Sequence, residues 1–442
     1  MSTEHPLDSW QSSILDLRRL TLFRGLLSRS PLDRLVEAAA GTSEPYSLLS
    51  EWIYRLTEER LLWRSPTLRY AADPWEAWLI DAVLSDDNLW TLSAERGEEP
   101  GGFLDRLAAH DLTLISRARG ALAVLASTLQ IGLPLDHWQA ADDAGFPVPC
   151  RLEREGIARA LAERRDWGEL AGELFRYFRR AGAGPFNQVY TFYWDGGLKP
   201  IFNPDPVRFE HLKGYERERE QVINNTQRLV QGLPAHNLLL YGDRGTGKSA
   251  TVKALAYRFG DLGLRLVEVP KSALGQLKDV IDLLSPRGLS FVVFVDDLSF
   301  EANETEYKEL KACLEGSLQA QARNVRLYAT SNRRHLIKEE FGDRKSGAWG
   351  TAADDVRSQD TLQEKLSLAD RFAVTIIFPT PSQTEYLEIV YSLAAQYGIE
   401  LDRQRLATLA LRWATWQNGR SARTARQFIE SLVGQTLPPD SV

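Results

Sequence analysis

The most explicit chemistry in the 442-residue chain lies in eight consecutive residues, Gly242-Asp243-Arg244-Gly245-Thr246-Gly247-Lys248-Ser249. They fit the pattern G-x-x-x-x-G-K-[ST] at every fixed position. Glycines at 242, 245 and 247 let the main chain curl so that successive N–H groups face an anion. A helix leaving the loop aims the positive end of its dipole the same way. Lys248 offers a mobile point charge to the β and γ phosphates of a nucleotide, and Ser249 offers a hydroxyl to Mg²⁺. Asp243, Arg244, Thr246 and Ala250 complete the expected nucleotide-binding loop. ATP and Mg²⁺ are therefore the expected cofactors. A second cluster, Phe291-Val292-Val293-Phe294-Val295-Asp296-Asp297, is an apolar run ending in two carboxylates. Asp296 is expected to hold Mg²⁺, largely through water. Asp297 stands where a general base takes a proton from, or orients, an attacking water. Aspartate is one methylene shorter than the glutamate more usual there, so Glu301 stays as a rival base.

The elements that must position these groups follow from hydrophobic periodicity. Short, largely apolar runs at 236–241, 264–269, 290–295, 325–330 and 372–378 alternate with amphipathic stretches at 249–259, 271–284 and 307–320. Continuous apolar runs suit strands buried on both faces of a parallel sheet, and strand–helix alternation implies helices on both sides of it. The expected fold class is α/β: a five-stranded parallel sheet in a three-layer P-loop NTPase core. Beyond Pro379 and Pro381 the strands stop, and helical stretches at 383–396, 402–416 and 422–433 predict a C-terminal helical lid. Residues 14–178 show helical periodicity, as where Leu122, Leu125 and Leu129 recur at three- and four-residue spacing, which predicts an N-terminal all-α region. Trp75, Trp78, Trp90 and Trp138 fall in that region and read as packing residues. Between the two regions, Gly182, Gly184, Pro185, Gly196, Gly197 and Pro200 suppress long helices, while Phe186, Phe192 and Trp194 suggest a linker packed on something. The expected division is a helical domain at 1–180, a linker at 181–208, a nucleotide-binding domain at 209–380 and a lid at 381–442.

Hydrophobic residues make up 43% of the chain and charged residues 26%, values that suit a water-soluble globular protein rather than a disordered one. The net charge of −7 argues against a protein that coats nucleic acid. Two distant cysteines, Cys150 and Cys313, imply neither a disulfide framework nor a metal cluster and fit a reducing compartment. Residues 1–8 lack the layout of a signal peptide. No apolar run approaches the roughly 18 residues needed to span a bilayer. A cytoplasmic location with no membrane partner is expected.

Further motifs carry a family resemblance. After the fourth run come Ser331-Asn332-Arg333-Arg334-His335. Glu364-Lys365-Leu366-Ser367-Leu368-Ala369-Asp370-Arg371-Phe372 leads into the fifth, and Gly419-Arg420-Ser421-Ala422-Arg423 opens the last lid helix. Together with Gly-Asp-Arg-Gly-Thr-Gly-Lys-Ser and Val-Asp-Asp-Leu-Ser-Phe-Glu, these resemble the bacterial AAA+ ATPase family filed as domain of unknown function 815, over about residues 200–435. The resemblance implies ATP binding and hydrolysis on an AAA+ fold, with no known substrate. It gives Asn332 the sensor 1 role of positioning water, although an Asx-type cap would also explain that residue. It makes Arg371 an arginine finger reaching the nucleotide of a neighbouring subunit, and hence implies a homo-oligomer; a surface pair with Asp370 is the alternative. It makes Arg423, with Arg420 second, the lid arginine at the phosphates. The segment around Leu212, Gly214 and Tyr215 resembles the stretch that brackets adenine, where ordinary core packing is an equal explanation.

The expected function is an ATPase that drives conformational change or remodelling of an unidentified protein or nucleic-acid client. The alternatives are a nucleotide switch or scaffold with little hydrolysis, a P-loop kinase, or a helicase-loader-like protein acting near DNA. The stretch at 269–276 lacks the aromatic of protein-threading loops, which argues against pore threading. Arg333, Arg334, Lys338, Arg344 and Lys345 form a locally basic stretch that would meet phosphates or simply be solvated. The polar stretch at 342–360 is long enough to be a partner loop.

Overall fold

A computed structural model of the chain describes residues 6–41, 70–99, 101–130, 147–299, 310, 322–332, 371–417 and 419–433. Trp138, Glu301, the expected helix at 307–320 apart from Leu310, the basic stretch from Arg333 to Lys345 and the polar stretch at 342–360 lie outside the described residues.

The N-terminal region is helical, as its periodicity predicts. Helices α1 (Pro6–Asp16), α2 (Leu32–Ala39), α3 (Pro74–Leu84), α4 (Leu89–Glu95), α5 (Phe103–Arg117), α6 (Ala121–Thr128), α7 (Arg151–Glu163) and α8 (Ala171–Ala181) share one apolar core. Trp75 and Trp90 are buried at its centre and Trp78 at its margin. Local chemistry sets the helix starts. Asp73 caps α3 by accepting the Glu76 N–H, with Pro74 in the first turn, and Asn88 forms a capping box with Thr91 at α4.

Among the described residues the sheet has seven strands where five were expected, and the two extra ones come from the stretch read as a linker. Strands β1 (Thr191–Trp194) and β2 (Leu198–Pro200) precede α9 (Glu216–Val230) and the five expected strands: β3 (Leu238–Gly242), β4 (Leu264–Glu268), β5 (Ser290–Val295), β6 (Val325–Ser331) and β7 (Val374–Phe378). The order is β2-β1-β4-β5-β6-β3-β7, with β1 parallel to β4 and β2 antiparallel to β1. Glycine and proline hid a period-two pattern: Phe192 and Trp194 are buried while Tyr193 between them is exposed. The Phe192 ring packs on Phe186 at 5.0 Å, and Phe186 packs in turn on Phe291 of β5 at 5.2 Å, so the segment extends the sheet core.

The five expected strands are parallel. Strands β3, β4, β5 and β6 are buried on both faces, which is why they read as continuous apolar runs, whereas β7 at the sheet edge buries Ile376 and Phe378 and leaves Thr375 and Ile377 exposed. Leu239, Val267, Val293, Val295, Leu327 and Ala329 face one side, where α11 (Leu277–Leu284) packs with Leu277, Val280 and Leu284. Leu238, Leu240, Leu266, Val292, Phe294 and Tyr328 face the other, against Val222 and Leu229 of α9 and Val252 and Leu255 of α10 (Lys248–Phe259). The lid helices α12 (Gln383–Gln396), α13 (Arg403–Trp416) and α14 (Ala422–Leu432) form their own small core around Tyr386, Ile389, Leu406 and Phe428. Ser382, Asp402 and Ser421 cap their N-termini.

The N-terminal helices join the α/β core at the amino ends of β4 and β5, away from the phosphate loop. Glu95, at the end of α4, accepts from Arg287 at 2.6 and 2.9 Å and from the N–H groups of Ala183 and Gly288 at 2.8 and 2.9 Å. Arg265 of β4 is fully buried and donates to Ala181 O at 2.7 Å and Phe186 O at 2.5 Å. Its Nη1 donates to Gly260 O and Leu264 O, so main-chain carbonyls partner all three nitrogens of a guanidinium that burial would otherwise penalise.

Candidate functional site

Strand β3 ends at Gly242, the loop turns, and α10 starts at Lys248, all at the carboxyl ends of the parallel strands. Two of the glycines are forced by space as well as by backbone conformation. Gly242 has φ +150°, and a Cβ there would lie 1.9 Å from Phe378 O. Gly245 has φ +81°, and its Cβ would meet Ser421 Oγ at 2.7 Å. The loop therefore passes between the end of β7 and the start of α14. Gly245 O also accepts the N–H of Arg423 at 3.1 Å, a direct main-chain bond between loop and lid.

Lys248 is 5% exposed, and its ammonium is held by the carbonyls of Gly242 and Asp243, both at 2.7 Å, and by Asn332 Oδ1 at 3.0 Å. Burial pulls its pKa below the ordinary lysine value, against the opposing pull of Asp243, Asp296 and Asp297. Ser249 Oγ donates to Asp296 Oδ1 at 2.6 Å. Asn332 Nδ2 donates to Asp297 Oδ1 at 2.5 Å. Thr330 ties the two carboxylate residues together: its hydroxyl donates to Asp296 at 2.5 Å and accepts the Asp297 N–H at 2.9 Å.

These groups border a cavity of about 760 Å³, a size that suits a small-molecule ligand. Arg244, Gly245, Thr246, Gly247, Lys248, Ser249 and Ala250 line it, with Asp296, Asp297 and Asn332 opposite and Arg423 above. Gly242 and Asp243 stand behind the wall, where Thr246 Oγ1 donates to Asp243 O and the Asp243 carboxylate accepts the hydroxyl of Thr380 at the hinge. Of the three residues named for the adenine side, Leu212 lines the cavity and Gly214 and Tyr215 do not. The Tyr215 ring packs on Phe378 at 5.4 Å and its hydroxyl donates to Pro379 O at 2.8 Å, so its apolar signal came from core and hinge packing. Arg371 is exposed just ahead of β7 and does not line this cavity, and neither does Arg420.

Sequence reasoning missed several lining residues. Ile389 and Leu393, four apart on α12, supply apolar wall, and Arg426 adds a second lid cation one turn beyond Arg423. Thr330 is 1% exposed and carries no motif signal beyond its place two residues before Asn332.

The residues present fit a nucleotide with a hard divalent cation. The Ser249 hydroxyl and Asp296 carboxylate are the oxygen donors Mg²⁺ prefers. Lys248, Arg244, Arg423, Arg426 and the N-terminus of α10 supply the positive charge that a polyphosphate needs. Among the described residues there is no cluster of three His, Cys, Asp or Glu side chains of the kind that holds a transition metal.

A phosphate loop between an interior strand and its helix, paired carboxylates on the next strand but one, this strand order and a helical lid define a P-loop NTPase core of the AAA+ type. The family described as "Protein of unknown function (DUF815)" matches residues 187–436, more than half of the chain, and the chain belongs to that family. Similar solved structures include a Thermotoga maritima RuvB mutant, at 15% identity and TM-score 0.35, covering 51% of this chain and 64% of that one. The Thermotoga maritima RuvB Holliday junction branch migration motor is another, at 15% identity and TM-score 0.31, covering 51% of this chain and 72% of that one. The chain thus spans just under two thirds of the length of the first of these structures. No curated protein matches it.

Proposed function

We propose that this protein binds ATP with Mg²⁺ and hydrolyses it to ADP and phosphate, converting the cycle into movement of its helical lid against the α/β core. The observation that carries this reading is the convergence of Lys248, Ser249, Asp296, Asp297, Asn332 and Arg423 on one cavity, from β5, β6, α10 and α14. Ser249 and Asp296 would hold Mg²⁺, which when bound draws charge from the phosphoryl oxygens. Lys248 would exchange its two carbonyl partners for phosphate oxygens, and Asp297 would orient or deprotonate the attacking water. The lid bond from Arg423 N–H to Gly245 O makes the loop and lid answer to each other, so ligand-dependent loop geometry changes lid docking. Arg371, exposed on this subunit, would serve the site of a neighbour in a homo-oligomer. The client would be a protein or nucleic acid, and the N-terminal helical region would be the part that recognises it.

The test is saturable, Mg²⁺-dependent ATP binding followed by steady-state turnover. Removing the partner of a hydrogen-bonded charge costs about 2–5 kcal/mol, so Lys248→Ala should weaken ATP binding by about 30-fold or more. Asp297→Asn should keep the affinity and lose about 10²- to 10⁴-fold in turnover. Binding that is indifferent to Lys248 would refute the reading. One observation favours a second reading, a slow nucleotide switch: Asp297 is already engaged by Asn332. Unaltered protein that binds ATP tightly and turns it over no faster than Asp297→Asn would decide for the switch.

A further inference from the structure

Thr330 stands near the end of β6, and its buried hydroxyl does two things at once. It donates to Asp296 Oδ1 at 2.5 Å and accepts the N–H of Asp297 at 2.9 Å. A hydroxyl has one proton and two lone pairs, and a main-chain N–H can only donate, so the direction of both bonds is fixed. Three donors converge on Asp296 Oδ1: the hydroxyls of Thr330 and Ser249, the latter at 2.6 Å, and the Asp297 N–H at 3.1 Å. Among the described residues, none of the hydrogen bonds reaches Asp296 Oδ2, and Asp296 lines the cavity. The carboxylate is therefore anchored through one oxygen and keeps the other for a ligand. The same hydroxyl steadies the turn that follows, where Asp297 takes the left-handed conformation at φ +50° that a side-chain-bearing residue seldom adopts. Thr330 O adds a main-chain bond from Leu298 N–H at 2.7 Å.

We infer that Thr330 is the positioning residue for the divalent cation of this site: it presets Asp296 as a metal ligand and holds Asp297 in place. This rests on the nucleotide reading above and deepens it. The cation's contribution to nucleotide affinity then depends on one buried hydroxyl borne by the neighbouring strand. A threonine that merely satisfied its own hydrogen bonds would contribute to stability without regard to the cation.

Three full-length proteins separate these roles: the unaltered chain, Thr330→Val, which keeps the shape and removes the hydroxyl, and Thr330→Ser, which keeps the hydroxyl. The readout is equilibrium ATP affinity by calorimetry, in Mg²⁺ and in EDTA, with the ratio of the two as the measured quantity. The expected result is that Thr330→Ser keeps the ratio of the unaltered chain within twofold. Thr330→Val should lose at least tenfold of it while its affinity in EDTA changes by less than threefold. In an Asp296→Asn background, Thr330→Val should change the ratio no further. Equal losses in Mg²⁺ and EDTA, a ratio kept by Thr330→Val, or a ratio lost by Thr330→Ser would each overturn the inference. Should Thr330→Val fail to fold, Thr330→Ala takes its place under the same criteria. An unaltered chain that binds no ATP would instead sink the nucleotide reading itself, and this inference with it.

Discussion

Asn332 shows how much a single side chain can couple. Lysine can only donate and a carboxylate can only accept, so the amide has one orientation: Oδ1 toward Lys248 at 3.0 Å and Nδ2 toward Asp297 at 2.5 Å. One amide thus joins the candidate phosphate-binding cation to the candidate base. If phosphates draw Lys248 away, the amide loses one partner and its hold on Asp297 changes with it. Removing one preorganised donor from a reacting centre typically costs about 10²- to 10³-fold in turnover. Asn332→Ala should therefore slow ATP hydrolysis by about that factor while leaving ATP affinity within about threefold, since the contact it removes from Lys248 is one that phosphates would replace. Single-turnover kinetics against equilibrium binding would separate the two effects. An equal loss in both would mean that Asn332 acts mainly through Lys248.

At the scale of elements, the phosphate loop is wedged between the end of β7 and the start of α14. A methyl group at Gly245 would have to displace Ser421 Oγ, 2.7 Å away, and Arg423 Cβ, 3.1 Å away. These are the lid's own N-cap and the residue whose N–H bonds the loop. Alanine at φ +81° also costs about 1–2 kcal/mol in backbone strain. Gly245→Ala is expected to loosen the lid, with faster proteolytic cleavage in the connection at 379–382 and nucleotide binding weakened in proportion. Gly242→Ala should be worse, because the obstacle 1.9 Å away is the Phe378 main-chain carbonyl, which cannot swing aside as a side chain does. A marked drop in the urea unfolding midpoint for Gly242→Ala, larger than for Gly245→Ala, is the outcome to look for.

Over the whole molecule, the N-terminal helices and the α/β core meet through buried polar groups rather than through a free tether. Glu95 has no exposed side-chain surface, Arg287 has 9%, and a Cβ at Gly288 would strike Glu95 O at 2.0 Å. Removing one member of a buried ion pair strands the other and costs about 3–5 kcal/mol. Glu95→Ala should lower unfolding stability by that amount, measured in urea, while leaving ATP affinity unchanged, because the pair lies at the opposite ends of the strands from the cavity. A parallel loss of affinity would show that the two ends communicate. Among the described residues no helix is long and apolar enough to cross a membrane.

A candidate site carried by contiguous residues is legible in the sequence. The phosphate loop needs its glycines, lysine and serine in one run, and Asp296 and Asp297 announce themselves by closing an apolar strand. The buried strands and the capped lid helices show their period without reference to anything distant. The rest depended on separations that periodicity cannot see. Thr330 meets Asp296 across 34 positions and Asn332 meets Lys248 across 84. Arg423 and Ser421 reach the loop only because the lid folds back over it. Strands β1 and β2 looked like linker because glycine and proline flank them, and only pairing with β4 makes them part of the sheet. Tyr215 was open to two readings for the same reason: an aromatic side chain packs equally well on a base or on Phe378, and only the fold shows that Phe378 is within its reach. Local pattern specifies what a residue can do, but which partner it does it with is set by how the strands are ordered and where the lid comes to rest.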